Sequence, residues 1–339
     1  MARPAAPPAA VSAGPVLLEL RDLHAHLSTR WGVVRAVDGV SLTVREGETL
    51  GLVGESGCGK TMTALSILRL LPQPAGRIVA GQILLEGEDL VPKSERQMRR
   101  IRGRRISMIL QDPQTSLNPV FSVGNQLVEA LRVHRAGPRR RLRALAQEAL
   151  RQVRVAAPAQ RLRDFPHQMS GGMKQRVVGA IAVSGPPRVL IADEPTTALD
   201  VTIQLQYLTL LEEIQERTRL AMLFITHDFG IVARICDRVA VMYAGRIVES
   251  GPTRELFAAP RHPYTQALMA AVPRMDESVE RLPAIDGQPP ALQRLPPGCR
   301  FAPRCRHADD RCQREYPAVF AVGREHEAAC WRAESSPSR

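Results

Sequence analysis

The sequence predicts an α/β fold with a largely parallel sheet, and three observations carry that expectation. The runs Val189-Leu190-Ile191-Ala192 and Ala221-Met222-Leu223-Phe224-Ile225-Thr226 have the unbroken hydrophobicity of strands buried on both faces. Such strands alternate with helix-compatible segments, and each ends on polar residues, the pattern of an α/β nucleotide-binding core. Between an apolar strand at 49–53 and a helix-compatible stretch at 62–71 lies Gly54-Glu55-Ser56-Gly57-Cys58-Gly59-Lys60-Thr61. In that context G-x-x-x-x-G-K-[ST] reads as a phosphate-binding loop. Glycines let successive backbone N–H groups turn inward on an anion, and the following helix adds its positive dipole end. Lys60 would place a charge at the β/γ-phosphates, and Thr61 a hydroxyl on Mg²⁺. The chain is therefore expected to bind a nucleotide.

The remaining elements follow in order. Residues 16–27 are strand-like, and 33–44 alternate as a half-buried strand does. Arg45-Glu46-Gly47-Glu48 is a turn, and 81–87 reads as a short strand bounded by glycines. The basic stretch 96–105 predicts an exposed helix. Ile106-Ser107-Met108-Ile109-Leu110 predicts a buried strand ending at Gln111, before the breaker Asp112-Pro113. Residues 123–155 are helical in pattern, interrupted over 135–143 by Gly137-Pro138 and an arginine run that reads as a solvated connection. Ser170-Gly171-Gly172 opens a further helix, Asp193-Glu194-Pro195 closes a strand, and 203–217 is amphipathic. A strand ending at His227 and a hairpin over 239–249 complete the core. Past Gly251-Pro252 prolines crowd, and four of the six cysteines follow residue 298, so a boundary is placed near residue 255.

Composition narrows the possibilities. The 339 residues are 44% hydrophobic, a globular balance that suits two or three domains. The net charge of +12 rests on arginine; Lys60, Lys93 and Lys174 are the only lysines. With aromatics at 4% no stacking platform alternates with the basic residues, so nucleic acid is not expected as a partner. No apolar run reaches the roughly 18–20 residues of a membrane helix. Residues 1–15 are Ala/Pro-rich without an apolar segment and read as a disordered tail, not a signal peptide. A cytosolic chain with reduced cysteines is expected.

A phosphate loop alone does not choose among nucleotide-binding families; the other elements do. Gln111, Met169-Ser170-Gly171-Gly172-Met173, Val189–Glu194, Thr197-Ala198-Leu199-Asp200 and His227 occur in the order of the Q-loop, signature, Walker B, D-loop and switch histidine. On these motifs residues 16–255 strongly resemble the ATP-binding-cassette (ABC) superfamily. The resemblance implies a P-loop NTPase nucleotide-binding domain, with a RecA-like core, an antiparallel β subdomain and a helical subdomain over about 112–184. It implies that Asp193 holds Mg²⁺ together with Thr61 and Gln111, and that Glu194 deprotonates the attacking water. His227 would contact the γ-phosphate, while Lys60 and the loop amides stabilise its charge. Ser170, Gly171, Gly172 and Asp200 would act across a dimer, so that ATP lies between two cassettes. Two positions depart from the pattern. Met173 replaces the usual signature glutamine, as in peptide importers. The adenine-stacking aromatic is missing near Leu27, where Trp31 is either its substitute or a packing residue.

The end of the chain sharpens the branch. His262-Pro263-Tyr264-Thr265, a proline-rich stretch and Gly298-Cys299-Arg300-Phe301-Ala302-Pro303-Arg304-Cys305 resemble the C-terminal extension, 256–339, of oligopeptide and dipeptide import ATPases. Cys299, Cys305, Cys312 and Cys330 are separated by 5, 6 and 17 residues, which is not the usual zinc C-x₂-C pairing. Four clustered cysteines suit a Cys₄ site, and the resemblance implies a [4Fe–4S] cluster there; Zn²⁺ and free thiols remain alternatives. Cys58 and Cys236 read as packing residues, and His307 and His326 need not be ligands. The expected role is the ATPase subunit of a peptide importer, peripheral on the cytoplasmic membrane face. Its expected partners are a second ABC subunit, two permease subunits and, indirectly, a solute-binding protein. Import of nickel or another small solute is the alternative within this branch, and a soluble ATPase acting on ribosomes or nucleic acid the alternative outside it.

Overall fold

The computed structural model of the protein describes residues 14–134, 137–197, 199–271 and 285–334. Nearly all of the N-terminal stretch read as a tail lies outside them, as do Arg135, Ala198, Pro273 and Pro283. The strands are β1 (Val16–Thr29), β2 (Gly32–Arg45), β3 (Thr49–Val53), β4 (Gly76–Leu85), β5 (Glu88–Asp89), β6 (Ile106–Ile109), β7 (Val189–Asp193), β8 (Ala221–Thr226), β9 (Arg238–Tyr243), β10 (Arg246–Pro252), β11 (Phe320–Ala321) and β12 (Glu327–Ala328). They form an antiparallel sheet of order β2-β1-β4-β5 and an eight-stranded sheet of order β11-β12-β10-β9-β3-β8-β7-β6. Within the second sheet, β9, β3, β8, β7 and β6 run parallel. The hairpin strand β10 and the late strands β12 and β11 extend it antiparallel.

The continuous apolar strands are buried on both faces, and their alternate residues enter different layers. Leu50, Leu52, Ile191, Leu223 and Ile225 face the antiparallel sheet and the helix Lys60–Ile67. Val53, Leu190, Ala192, Met222 and Phe224 face the helices between Pro113 and Val183 and the helix Val201–Thr218. Tyr264 and Phe301, beyond the end of β10, belong to this second layer's core. No described helix is long and apolar enough to cross a membrane.

Three sequence expectations change. Gly81 does not start a strand; it lies inside β4 at φ 89°, where the register against β1 shifts. A Cβ there would stand 2.2 Å from the Asp22 carbonyl oxygen, so the close approach at this bulge requires glycine. The arginine run after Pro138 is not a connection but the first turn of the helix Arg139–Gln152. Arginine is a good helix former, and its charges stay outside while Leu142 and Ala146 turn inward. The helix expected over 96–105 is Glu95–Ile101, started by a Ser94/Gln97 capping box, and it buries Met98 and Ile101. The boundary position near 255 falls inside the helix Thr253–Ala258.

Candidate functional site

The loop between β3 and the helix Lys60–Ile67 turns on glycines in left-handed or extended positive-φ conformations. A Cβ on Gly59 (φ 116°) would stand 2.2 Å from the Ala36 carbonyl oxygen, and one on Gly54 would stand 2.1 Å from that of Met242. The loop is thereby pressed onto β2 and β9. Lys60 is buried, with Nζ donating to the carbonyls of Gly54 (2.7 Å) and Glu55 (3.1 Å). Cys58 is buried as well, and burial pushes its thiol pKa up. Thr61 and Ser56 are exposed at the loop's mouth.

Two strands from β3 across β8, the end of β7 delivers Asp193 and, just beyond it, Glu194. Asp193 is 1% exposed. Burial pushes its carboxyl above the ordinary range, opposed by a hydrogen bond from Thr61 and the charge of Lys60. Its Oδ1 has no hydrogen-bond partner. An orphaned buried carboxylate oxygen beside a threonine hydroxyl is a donor set that fits a hard divalent cation such as Mg²⁺.

Glu194 is the point of convergence. Its backbone is left-handed at φ 45°, a strained conformation for a non-glycine residue, and its N–H is pinned to the Ile225 carbonyl at 2.9 Å. Oε2 accepts from Gln111 Nε2 (3.0 Å) and from Thr197 Oγ1 (3.1 Å), and Oε1 lies 3.2 Å from His227 Nδ1. Residues 33 to 83 positions away in sequence thus meet on one carboxylate.

Other expected site residues lie elsewhere in the fold. Ser170 caps the helix Gly171–Val183 by accepting from the Met173 N–H (3.4 Å). Gly172 approaches Ile203 of the next long helix, not the phosphate loop. Asp200 caps that helix through the Ile203 N–H at 3.0 Å and is itself exposed. Trp31 stands at the β1–β2 turn, 73% exposed, with the Arg30 guanidinium 3.9 Å over its ring.

None of the four late cysteines is in a disulfide, and all are half-buried or buried. Burial pushes the Cys299 thiol up to about 11, and it raises Cys312 and Cys330 as well. Cys330 is within electrostatic reach of Cys299, Cys305 and Cys312. Among the described residues no three of their sulfurs lie within 4.8 Å of one another, whereas a zinc tetrahedron with ~2.3 Å bonds needs about 3.8 Å. His326 is bonded to Glu249 at 2.8 Å, and His307 meets Cys305 through its backbone N–H (3.4 Å). Elsewhere, His24 Nδ1 and His26 Nε2 lie 3.0 and 3.6 Å from Asp38 Oδ1. The other oxygen of Asp38 is held by Arg300, with Arg246 at 3.7 Å, so two guanidinium charges already balance it. That group is an ion-pair network.

Sequence reasoning missed Thr197's hydroxyl, Tyr264 and Arg304. Tyr264 accepts the Glu55 N–H at 2.9 Å, and Arg304 grips the Glu55 carboxylate with both terminal nitrogens at 2.7 and 3.0 Å. Both lie in C-terminal motifs legible in the sequence, but nothing local ties either one to residue 55.

Comparison with known proteins agrees along the chain. The sequence profile of the ABC transporter family matches residues 37–197, and that of the oligopeptide/dipeptide transporter C-terminal region matches residues 248–312. A probable peptide ABC transporter ATP-binding protein of Sinorhizobium fredii is 51% identical, over 94% of this chain and 95% of its own. The dipeptide transport ATP-binding protein DppD of Bacillus subtilis is 48% identical, over 93% and 94%. Among solved structures, the dimeric cassette MJ0796 bound to ADP and Pi superposes with TM-score 0.63 at 22% identity, covering 70% of this chain and 99% of that one. The cassette cbiO1 of Clostridium perfringens superposes with TM-score 0.62 at 27% identity, covering 72% and 91%.

Proposed function

The chain belongs to the ATP-binding-cassette transporter family, and on that premise we propose that it is the ATP-hydrolysing subunit that powers import of di- and oligopeptides. The observation that carries the catalytic part is the convergence of Gln111, Thr197 and His227 on the Glu194 carboxylate, beside Asp193, Thr61 and Lys60. The cargo rests on the relatives' names and on the matching C-terminal region.

Each residue then has a task. The loop amides from Gly54 to Thr61 and the helix behind them bind the phosphates, and Lys60 neutralises charge at the transferring group. Asp193 and Thr61, with Gln111, would hold Mg²⁺, which supplies charge neutralisation on the phosphate oxygens. Glu194, aimed by its strained backbone, takes the proton of the attacking water, and His227 orients that water against the γ-phosphate. Trp31 is the chain's candidate for stacking on adenine. Ser170, Gly171 and Asp200 are exposed, Gly172 is half-buried beside Ile203, and the task of all four is on a second cassette's ATP. Closure of that dimer and its reopening after hydrolysis would drive two permease subunits on the cytoplasmic membrane face, supplied by a solute-binding protein.

Replacing the base tests this reading directly. Glu194→Gln is expected to keep ATP affinity, to cut steady-state phosphate release by about 10²–10⁴-fold, and to accumulate an ATP-bound dimer on size-exclusion chromatography. Undiminished hydrolysis removes Glu194 as base. Loss of di- and oligopeptide uptake in a deletion strain supports the cargo, and loss of nickel uptake alone overturns it. The four late cysteines, with Cys330 in electrostatic reach of the other three, support a [4Fe–4S] cluster held by Cys299, Cys305, Cys312 and Cys330. Protein purified without oxygen is expected to be brown and to contain iron. Colourless protein with one zinc per chain rules the cluster out.

A further inference from the structure

The phosphate loop does not stand alone. Glu55 is its second residue, and two residues more than 200 positions later hold it from outside the cassette motifs. We propose that Arg304, with Tyr264, positions the phosphate loop, so that the C-terminal extension is a working part of the nucleotide site.

Four features of the structure support this. The Arg304 side chain is 4% exposed and makes a two-nitrogen fork to Glu55, at 2.7 and 3.0 Å, the geometry that fixes direction as well as distance. The guanidinium is itself fixed. Its Nε donates to the Asp286 carbonyl (3.0 Å), and its Nη atoms reach the Ile285 carbonyl (3.4 Å) and the Tyr243 hydroxyl (3.3 Å). The Tyr264 hydroxyl accepts the Glu55 N–H from the other side, so both the backbone and the side chain of this loop residue are held. Behind the pair, Tyr243, Tyr264 and Phe301 pack ring on ring with centroids 4.5 to 5.4 Å apart, joining the extension to the end of β9.

The consequence is mechanical. Lys60 Nζ bonds the carbonyls of Gly54 and Glu55, so a shift of Glu55 moves the partner atoms of the loop's own lysine. Loop amides bind phosphate only while their N–H vectors converge, and a fork-gripped carboxylate at the loop's start limits how far they can splay. The Arg304 guanidinium is committed to Glu55, Tyr243 and the carbonyls of Ile285 and Asp286. It acts through Glu55, which makes it a positioning residue.

The proposal rests on the ATPase reading, and one set of measurements separates the two. Binding of a fluorescent ADP analogue and steady-state ATPase kinetics are measured on the full-length protein and on Arg304→Ala, Arg304→Lys, Glu55→Gln and the Arg304→Ala/Glu55→Gln double variant. Wild type that binds no nucleotide defeats the ATPase reading. If wild type binds, Arg304→Ala is expected to weaken nucleotide affinity and raise KM about tenfold, with kcat at saturating ATP changed less than about threefold. Arg304→Lys, which keeps the charge without the fork, is expected to recover part of the affinity. The double variant is expected to be no weaker than Arg304→Ala, because each change removes the same contact. A Glu55-independent, purely stabilising role predicts additive losses that track the melting temperature, and that outcome overturns the proposal. So does an Arg304→Ala protein that melts as wild type does and binds nucleotide unchanged.

Discussion

His262 shows how one side chain can set the pH response of the join between cassette and extension. Its ring is 1% exposed, burial lowers its pKa to about 4, and its Nδ1 accepts the Tyr264 N–H at 3.0 Å. An unfolded histidine protonates near pH 6.5, so between about 6.5 and 4 the unfolded chain binds a proton that the folded chain refuses. The stability due to the neutral ring is therefore complete above about pH 6.5 and drains as the pH falls to 4, at up to ~1.4 kcal/mol per pH unit. Asp38 acts in a lower window. Burial alone would raise it, but the Arg300 bond and charge, with His24 and Arg246, bring it down to about 2, so its contribution is lost only below about pH 3.8. His262→Asn, which retains an acceptor for the Tyr264 amide, is expected to flatten the fall in melting temperature between pH 6.5 and 4.5. An unchanged slope assigns the acid sensitivity to other groups. At the same scale, the strained backbone of Glu194 is not readable from a sequence, because its φ of 45° is imposed by the Ile225 carbonyl of a neighbouring strand.

At the scale of elements, the continuous apolar runs were legible because strands buried on both faces leave no polar residue to interrupt them. The helix start at Ser170 was legible because a serine cap acts locally, on the N–H three residues on, whereas the same bonds from Asp200 and Ser94 begin helices that were expected to start at 203 and 96. Gly81 misled because glycine marks strand ends and bulges alike, and only the approach of the Asp22 carbonyl distinguishes them. The arginines from 139 to 143 misled in a different way. Charge density suggested a connection, but periodicity resumes at Leu142 and Ala146, which find a core in the neighbouring helices. Strands β11 and β12, two residues each, carry no usable period; β12 exists because Glu249 and Ser250 offer it an edge.

Across the whole molecule, the extension is built into the sheet and the core as well as onto the phosphate loop. Glu249, 1% exposed on β10, accepts from the N–H groups of Arg261 (2.6 Å) and His262 (2.9 Å) and pairs with His326, tying three segments to one buried carboxylate. The outward face carries the opposite logic. A Cβ added to Gly171 meets no atom within 4 Å, and its φ is not in the left-handed region, so Gly171→Asp is expected to leave the monomer's melting temperature unchanged. If this glycine faces a second cassette's ATP, the new charge repels the triphosphate across the dimer. Turnover is then expected to fall by about 10²-fold or more while single-chain nucleotide binding persists. Full activity in Gly171→Asp removes the residue from that interface.

The sequence by itself determined the α/β class, the phosphate loop and the order of the motifs. These rest on periodicity, caps and spacing, which are local and survive in one dimension. It also marked Lys60, Thr61, Gln111, Asp193, Glu194 and His227, because each stands at a strand end or in a glycine loop. Only the tertiary structure decided that Gln111, Thr197 and His227 meet on one carboxylate, and that Arg304 and Tyr264 reach back to Glu55. Apart from that of Thr197, three residues from Glu194, those are contacts between residues far apart in the chain, set by which strands pair and which layers pack. No local pattern around either partner encodes them.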